Sequence, residues 1–342
     1  MKKFILIGVG SIGKRHLEIL KKMKKPTICI DKNNEISKKY SSTEYPHISG
    51  FYKNINQAKV KDLLEKKDYT VIISTLGPTH FLLLEQLSAF GFKNFIIEKP
   101  IVTSISDSYK FKNLVKRKKL TIRVHLAYRY FHSVKSEVDK IKKKHQLGSI
   151  KKIICYSGAL DLSTAGSHLV DLAVECFGCN PDGVISNLYS DKINPRSKDL
   201  VFFEGTSIWR FKNNLEFVLT MSNSSRLSET IIIVFENAKL IINWNNSFTL
   251  FGIDGKISNK ISRHQGAGKE IERGELFSNE YIPCYQIIKD AVMNKKNRSD
   301  HKIAFNNIQC ILGSIISNSL KKDIKLPVSP NNILANKKFR IS

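Results

Sequence analysis

A chain of 342 residues, 42% hydrophobic and 25% charged, has ordinary globular composition and the length of two domains, each able to bury its own core. That excludes a disordered chain, a collagen-like repeat and a disulfide-stapled miniprotein. The formal net charge of +26 raises nucleic acid as a partner, because clustered Lys and Arg displace counterions from phosphate. The basic residues are spread through the chain, however, at Lys21 to Lys25, Lys116 to Lys119, Lys142 to Lys144 and Lys295–Lys296. Lys dominates over Arg, whose fork reads bases better, and no nucleic-acid module accompanies the charge. The expectation is a solvated basic surface that also attracts an anionic small molecule, with no nucleic-acid partner.

No run reaches the roughly 18 apolar residues that a bilayer span needs, and the opening Met-Lys-Lys-Phe-Ile-Leu-Ile-Gly is too short and too soon interrupted to be a signal peptide. A cytoplasmic protein without membrane association is expected. The cysteines, Cys29, Cys155, Cys176, Cys179, Cys284 and Cys310, are too scattered for a disulfide framework. Cys176-x-x-Cys179 has metal spacing, but no second pair of ligands follows at a recognisable interval, so a packed helix end is expected there and no metal.

Along the chain, strand and helix patterns alternate first. Phe4–Ile7, Thr27–Ile30, Thr70–Ile73, Phe95–Ile97 and Leu120–Val124 read as short buried strands. Ile12–Met23, His80–Phe90 and Ser106–Lys118 carry apolar residues at three- and four-residue intervals and read as covering helices. Beyond about residue 150 one amphipathic helix, Ser167–Phe177, precedes runs rich in β-branched and aromatic residues: Leu200–Phe203, Thr206–Phe211, Leu215–Met221, Thr230–Phe235 and Leu240–Trp244. Trp209 and Trp244 read as sheet-packing residues. Helical patterns at Glu280–Met293 and Ile303–Leu320 close the chain. The fold class is α/β: a Rossmann-type parallel sheet over residues 1–123, then an α+β domain on a large, mostly antiparallel sheet over 124–342.

Gly8-Val-Gly10-Ser-Ile-Gly13 lies between the first strand and the first helix. Its first glycine permits a tight turn, the second a close approach to a pyrophosphate, and the third close packing of helix on strand. The N–H groups opening that helix at Ser11, Ile12 and Gly13 then face the diphosphate, helped by the helix dipole. Asp31 ends the second strand, where a carboxylate accepts hydrogen bonds from an adenosine ribose and repels a 2′-phosphate. NAD is therefore favoured, while Lys14, Arg15 and Lys32 leave positive partners for NADP. Ser74-Thr75-Leu76 with His80, and Glu98-Lys99-Pro100, fall at the carboxyl ends of later strands, where open α/β sheets bind ligands.

With Gly166-Ser-His168-Leu-Val-Asp171 added, these elements resemble the glucose-fructose oxidoreductase and inositol dehydrogenase family, Gfo/Idh/MocA, in order and spacing. The resemblance implies nicotinamide-dependent hydride transfer between cofactor and a secondary alcohol or ketone of a sugar, with a nucleotide sugar of surface-polysaccharide synthesis among the expected substrates. It implies that Ser74, Thr75, Leu76, His80, Glu98 and Lys99 join the cofactor site. Lys99 would stabilise the developing alkoxide and His168 would exchange the hydroxyl proton. Tyr128 and Arg129 fall where the family has an Asn-x-Arg-Phe segment, matched only to within one residue, so Arg129 or Tyr130 stands for that Arg. Thr164 replaces an Asp that the family usually carries four residues before the His; Asp161 and Asp171 remain near it in sequence. Tyr128, Arg129, Thr164, His168, Asp171 and Lys99 form the expected substrate site, and homo-oligomers are expected through the second sheet. The rival expectation is a non-catalytic nicotinamide-binding sensor or partner protein of the same fold, favoured by Thr164.

Overall fold

Short runs of Ile, Val and Phe with little polar interruption build the first sheet, because its strands are covered on both faces. In the computed structural model, which describes residues 2–33, 40, 45–63, 66–130, 134–158, 160–193, 197–222, 224–243, 245–252, 268–276 and 283–341, these strands are β1 (Lys3–Ile7), β2 (Thr27–Ile30), β3 (Ile48–Tyr52), β4 (Tyr69–Ile73), β5 (Asn94–Ile97) and β6 (Thr121–Val124). They pair in the order β3-β2-β1-β4-β5-β6, every pair parallel. Strand order reverses between β1 and β4, and the carboxyl ends of those two strands carry Gly8 and Ser74. Such a switch point is where open α/β sheets bind ligands. The helices flanking these strands are α1 (Ser11–Lys22), α2 (Gly77–Ala89) and α3 (Ile105–Lys118). Pro78 opens α2, a first-turn position where its missing N–H costs nothing. Ser104 caps α3 by accepting from Asp107 N, and Lys116, Arg117 and Lys118 oppose the dipole in its last turn.

The chain divides into two compact units. The first is Met1–Tyr130 with Ile282–Ile308 and Pro330–Ser342; the second is Phe131–Tyr281 with Gln309–Ser329. A single cut after residue 123 is what the sequence pattern suggests, and the fold instead brings two later segments back to the first unit. Burial explains the return. Cys284, Ile287, Ile288 and Ala291 of α6 (Pro283–Val292) share one buried cluster with Phe4, Leu6, Leu17, Leu20 and Ile72. Near the carboxyl end, Phe339 N donates to Thr103 O and Ser106 N to Ala335 O.

The second unit holds α4 (Val134–Lys144), α5 (Ser167–Phe177) and a nine-stranded sheet: β7 (Ile150–Gly158), β8 (Gly183–Ile193), β9 (Val201–Arg210), β10 (Glu216–Ser222), β11 (Thr230–Phe235), β12 (Ala238–Asn243), β13 (Ser247–Gly252), β14 (Lys269–Glu275) and β15 (Ile324–Lys325). The order is β14-β13-β12-β11-β7-β10-β9-β8-β15. All pairs are antiparallel except β7 with β10. The last long helix, α7 (His301–Leu320), contributes to both units.

The runs Leu200–Phe203 and Thr206–Phe211 read as two strands but form one, β9. Gly205 between them is no turn: it has φ +115°, and a Cβ there would stand 2.3 Å from Asn187 O, so the glycine lets β9 pass close to β8. The edge strand β3, with Gly50 at its centre, shows no apolar run in sequence. Trp209 is fully buried and stacks on Phe217 at 5.3 Å; Trp244, like the start of the Glu280–Met293 pattern, lies outside the described residues. No helix among the described residues is long and apolar enough to cross a membrane.

Candidate active site

The glycine loop is held by contacts that leave no room for side chains. Gly8 has φ +86°, and a Cβ on it would meet the Ser74 carbonyl at 2.8 Å; one on Gly13 would stand 2.0 Å from Gly8 O. By contrast a Cβ on Gly10 meets nothing within 4 Å. That open space lies at the N-cap of α1, where the unpaired N–H groups of Ser11, Ile12 and Gly13 begin the helix. Ser74 Oγ donates to Gly8 O at 2.7 Å and stitches the end of β4 to the loop. Asp31 does the same from β2: its Oδ2 accepts from Val9 N at 2.6 Å and its Oδ1 from Asn33 N at 2.9 Å. Each carboxylate oxygen keeps a lone pair for a ribose hydroxyl.

Thr75 and Leu76 lead into α2, with Leu76 exposed and Thr75 Oγ1 hydrogen-bonded to Thr79 Oγ1 at 2.7 Å. His80 lies behind them, buried. Its Nδ1 faces Pro100 O at 2.7 Å and its Nε2 faces Thr75 O at 3.0 Å. It therefore joins the ends of β4 and β5 through their backbones. Burial lowers its pKa against the pull of the Pro100 and Thr75 carbonyls.

Glu98 and Lys99 are neighbours in sequence with different surroundings. Lys99 is half-buried, whereas the Glu98 carboxylate is buried and accepts from His16 Nε2 at 2.9 Å and from His125 Nδ1 at 3.0 Å. Burial acts to raise the Glu98 pKa, but the two imidazoles outweigh it and hold the carboxyl well below the usual range. Burial likewise opposes a charge on His125, and Glu98 with Cys284 overcomes it, so the ring is held well above its ordinary value. His16 and His125 were not picked out from the sequence. The readable signal was a His three residues past Gly13 on the buried face of α1, and another one residue past a buried strand.

Tyr128 and Arg129 are half-buried in the helical turn Ala127–Tyr130. Arg129 Nη1 approaches Arg298 O at 3.5 Å, and Arg298 in turn pairs with buried Asp290 at 2.8 Å. Tyr130 is fully buried with its hydroxyl on Ser299 Oγ at 2.6 Å, which leaves Arg129 as the cation of this segment.

In the second unit a π-helical turn, Leu162–Gly166, runs directly into α5. Asp161 caps it: one carboxylate oxygen accepts from Ser163 N and Thr164 N, each at 3.1 Å, and the other from Phe203 N at 2.7 Å. Thr164 is half-buried, and its hydroxyl donates to Asp161 O at 3.2 Å. His168 is half-buried at the second position of α5, and Asp171, one turn on, is buried. Asp161 is thus engaged by three backbone N–H groups and the Ser163 hydroxyl, while Thr164 lies in the π-helical turn and His168 and Asp171 lie in the first half of α5.

Residues 2–126 match the family model described as oxidoreductase family, NAD-binding Rossmann fold, of Gfo/Idh/MocA type. No curated protein matches the chain. Among solved structures the chain is similar in fold to an oxidoreductase from Agrobacterium radiobacter in complex with NAD+, L-tartaric acid and magnesium, at 15% identity and TM-score 0.70, over 95% of this chain and 98% of that one. It is also similar to an NAD-binding oxidoreductase from Klebsiella pneumoniae, at 11% identity and TM-score 0.72, over 95% and 99%. A levoglucosan dehydrogenase in complex with NADH and levoglucosan aligns at 13% identity and TM-score 0.72, over 95% and 99%.

Proposed function

Residues 2–126 form the NAD-binding Rossmann domain of the Gfo/Idh/MocA oxidoreductase family, and from that premise we propose that the protein interconverts a secondary alcohol and a ketone on a sugar or sugar-like molecule. The open space over Gly10, at an amide-lined helix start fixed from two sides by Ser74 and Asp31, fits a dinucleotide diphosphate and carries the reading. Asp31 suits the ribose of NAD and disfavours the 2′-phosphate of NADP. The bound nicotinamide supplies or accepts the hydride. The remaining work falls to the chain: Lys99 offsets charge developing on the substrate oxygen, and His168 takes or returns the hydroxyl proton, with Asp171 one turn away to orient it. Tyr128, Arg129 and Thr164 are the remaining substrate contacts in this reading. The excess of positive charge favours a phosphorylated substrate such as a nucleotide sugar, and levoglucosan dehydrogenase shows the fold at work on a sugar.

Pairing of subunits through the second sheet belongs to the same reading. Ile185, Ile208, Val218, Ile154, Ile232 and Ile241 lie opposite one another in register across six strands. All of them are half-buried or exposed, while the next row, Ser186, Ser207, Leu219, Cys155, Ile231 and Ile242, is buried. A continuous β-branched row on the open face is the surface a second copy covers.

Lys99→Ala decides between catalysis and sensing. Turnover on a panel of sugars and nucleotide sugars falls by about a hundredfold or more, a loss in the range seen when one charge-stabilising donor is removed. Stabilisation by NAD in thermal unfolding largely survives. Unchanged turnover refutes the role of Lys99, and absence of any turnover in the unsubstituted protein, with NAD stabilisation intact, favours the non-catalytic sensor.

A further inference from the structure

The Glu98 network extends to a cluster that hydride transfer does not use. His16 comes from α1, His125 from the residue after β6, and Cys284 from the first turn of α6. One ligand atom from each lies within 4.8 Å of the other two, and all three side chains are buried. Sequence spacing suggested no metal, because these residues are 109 and 159 positions apart (125 − 16 and 284 − 125) and meet only through the fold.

Two features go beyond proximity. Glu98 faces one nitrogen of each imidazole, which leaves Nδ1 of His16 and Nε2 of His125 as the nitrogens that can turn to an ion. His16 Nδ1 is buried with no hydrogen-bond partner, which is costly unless something else occupies its lone pair. His125 Nε2 stands 3.6 Å from Cys284 Sγ. Bond lengths of about 2.05 Å to imidazole and 2.3 Å to thiolate, at a tetrahedral angle, put a nitrogen and a sulfur about 3.6 Å apart on one zinc ion.

We propose that His16, His125 and Cys284 bind a zinc-class divalent cation, with Glu98 as the outer carboxylate that orients both imidazoles. Two nitrogens and a thiolate select zinc over magnesium or calcium, which take oxygen ligands. A carboxylate behind each ligating imidazole fixes its tautomer and increases its basicity. Entry of the ion replaces the hydrogen shared by Cys284 Sγ and His125 Nε2: two metal–ligand bonds form there, one hydrogen leaves as a proton, and no electron is transferred. Three protein ligands leave one position for water. The ion ties α6 to α1 and β6 within the first unit.

The test is elemental analysis of the full-length protein purified without chelator, followed by cobalt substitution. The expected result is one zinc per chain and, with Co2+, a thiolate-to-cobalt charge-transfer band. Cys284→Ser weakens zinc binding by at least about a hundredfold and abolishes the band; Glu98→Gln weakens it by about 10- to 100-fold. Cys176→Ser and Cys179→Ser leave both readouts intact. Folding of the cysteine variants is checked by stabilisation with NAD and that of Glu98→Gln by its circular dichroism, and the metal content of the unsubstituted protein is decisive without any variant. A chain that takes up neither Zn2+ nor Co2+, with only a thiol–imidazole hydrogen bond at the site, overturns the proposal. So does zinc that survives Cys284→Ser and is lost with Cys176→Ser. Neither readout depends on turnover.

Discussion

Gly10 and Gly13 sit three residues apart in one loop, and different constraints act on them. A Cβ on Gly13 collides with the backbone of Gly8, whereas a Cβ on Gly10 enters space where only a ligand would meet it. Gly13→Ala should therefore lower the melting temperature of the cofactor-free protein as well as NAD binding. Gly10→Ala should leave that temperature within about a degree, since the change touches nothing, and weaken NAD by about tenfold or more, a loss of ~1.4 kcal/mol. Thermal unfolding with and without NAD separates the two. His80 makes a second prediction at this scale. Its folded pKa lies below the free value of 6.5, from burial first, then opposed by the Pro100 and Thr75 carbonyls and by Glu98, and reinforced by Lys99. Between its folded and unfolded pKa the unfolded chain binds the proton more readily, so this contribution to stability is complete above pH 6.5 and lost as pH falls through the folded pKa. His80→Gln should flatten the fall in stability as pH drops below about 6.5, measured by urea unfolding; an identical slope removes His80 as its source.

Among elements, those with strong periodicity were readable. Strands β1, β2, β4, β5 and β6 and helix α5 fall within a residue or so of the positions their apolar spacing suggests. What escaped did so for local reasons. β3 is half-buried with a glycine at its centre, α4 is crowded with lysines, and Gly205 looks like a break until its closeness to Asn187 O is seen. The glycine loop was legible because its residues are continuous in sequence; the His16, His125 and Cys284 cluster was not, because it is assembled from three separate elements. The aliphatic row on the open sheet face supplies the prediction proper to this scale. Ile185 is 44% exposed in β8, so a charge there costs the isolated chain little but is desolvated in a paired face. Ile185→Lys should shift the mass measured by light scattering toward the monomer while NAD stabilisation is kept. An unchanged mass places the subunit contact elsewhere.

At the scale of the molecule, the first unit is discontinuous. Four buried side chains of α6 complete the core around β1 and α1, and at roughly 1.5–3 kcal/mol for each large one their absence removes a large part of a typical stability of about 5–15 kcal/mol. A fragment of residues 1–130, which contains every glycine of the loop together with Asp31 and Lys99, should accordingly fail to show a cooperative transition or to bind NAD in calorimetry. Restoring residues 282–342 in the full chain restores both.

The return of residues 330–342 bears on how the protein is made. A Cβ on Gly77 would stand 2.9 Å from Ile341 O, and Phe339 and Ala335 hydrogen-bond to the backbone on either side of Ser104. A ribosome delivers the glycine loop well before this strap. Until the strap follows, the nascent chain therefore holds the glycine loop on an unfinished scaffold. The second unit's long sheet emerges while the first is still open, so the glycine loop gains its full support only after most of the sheet that follows it in the chain.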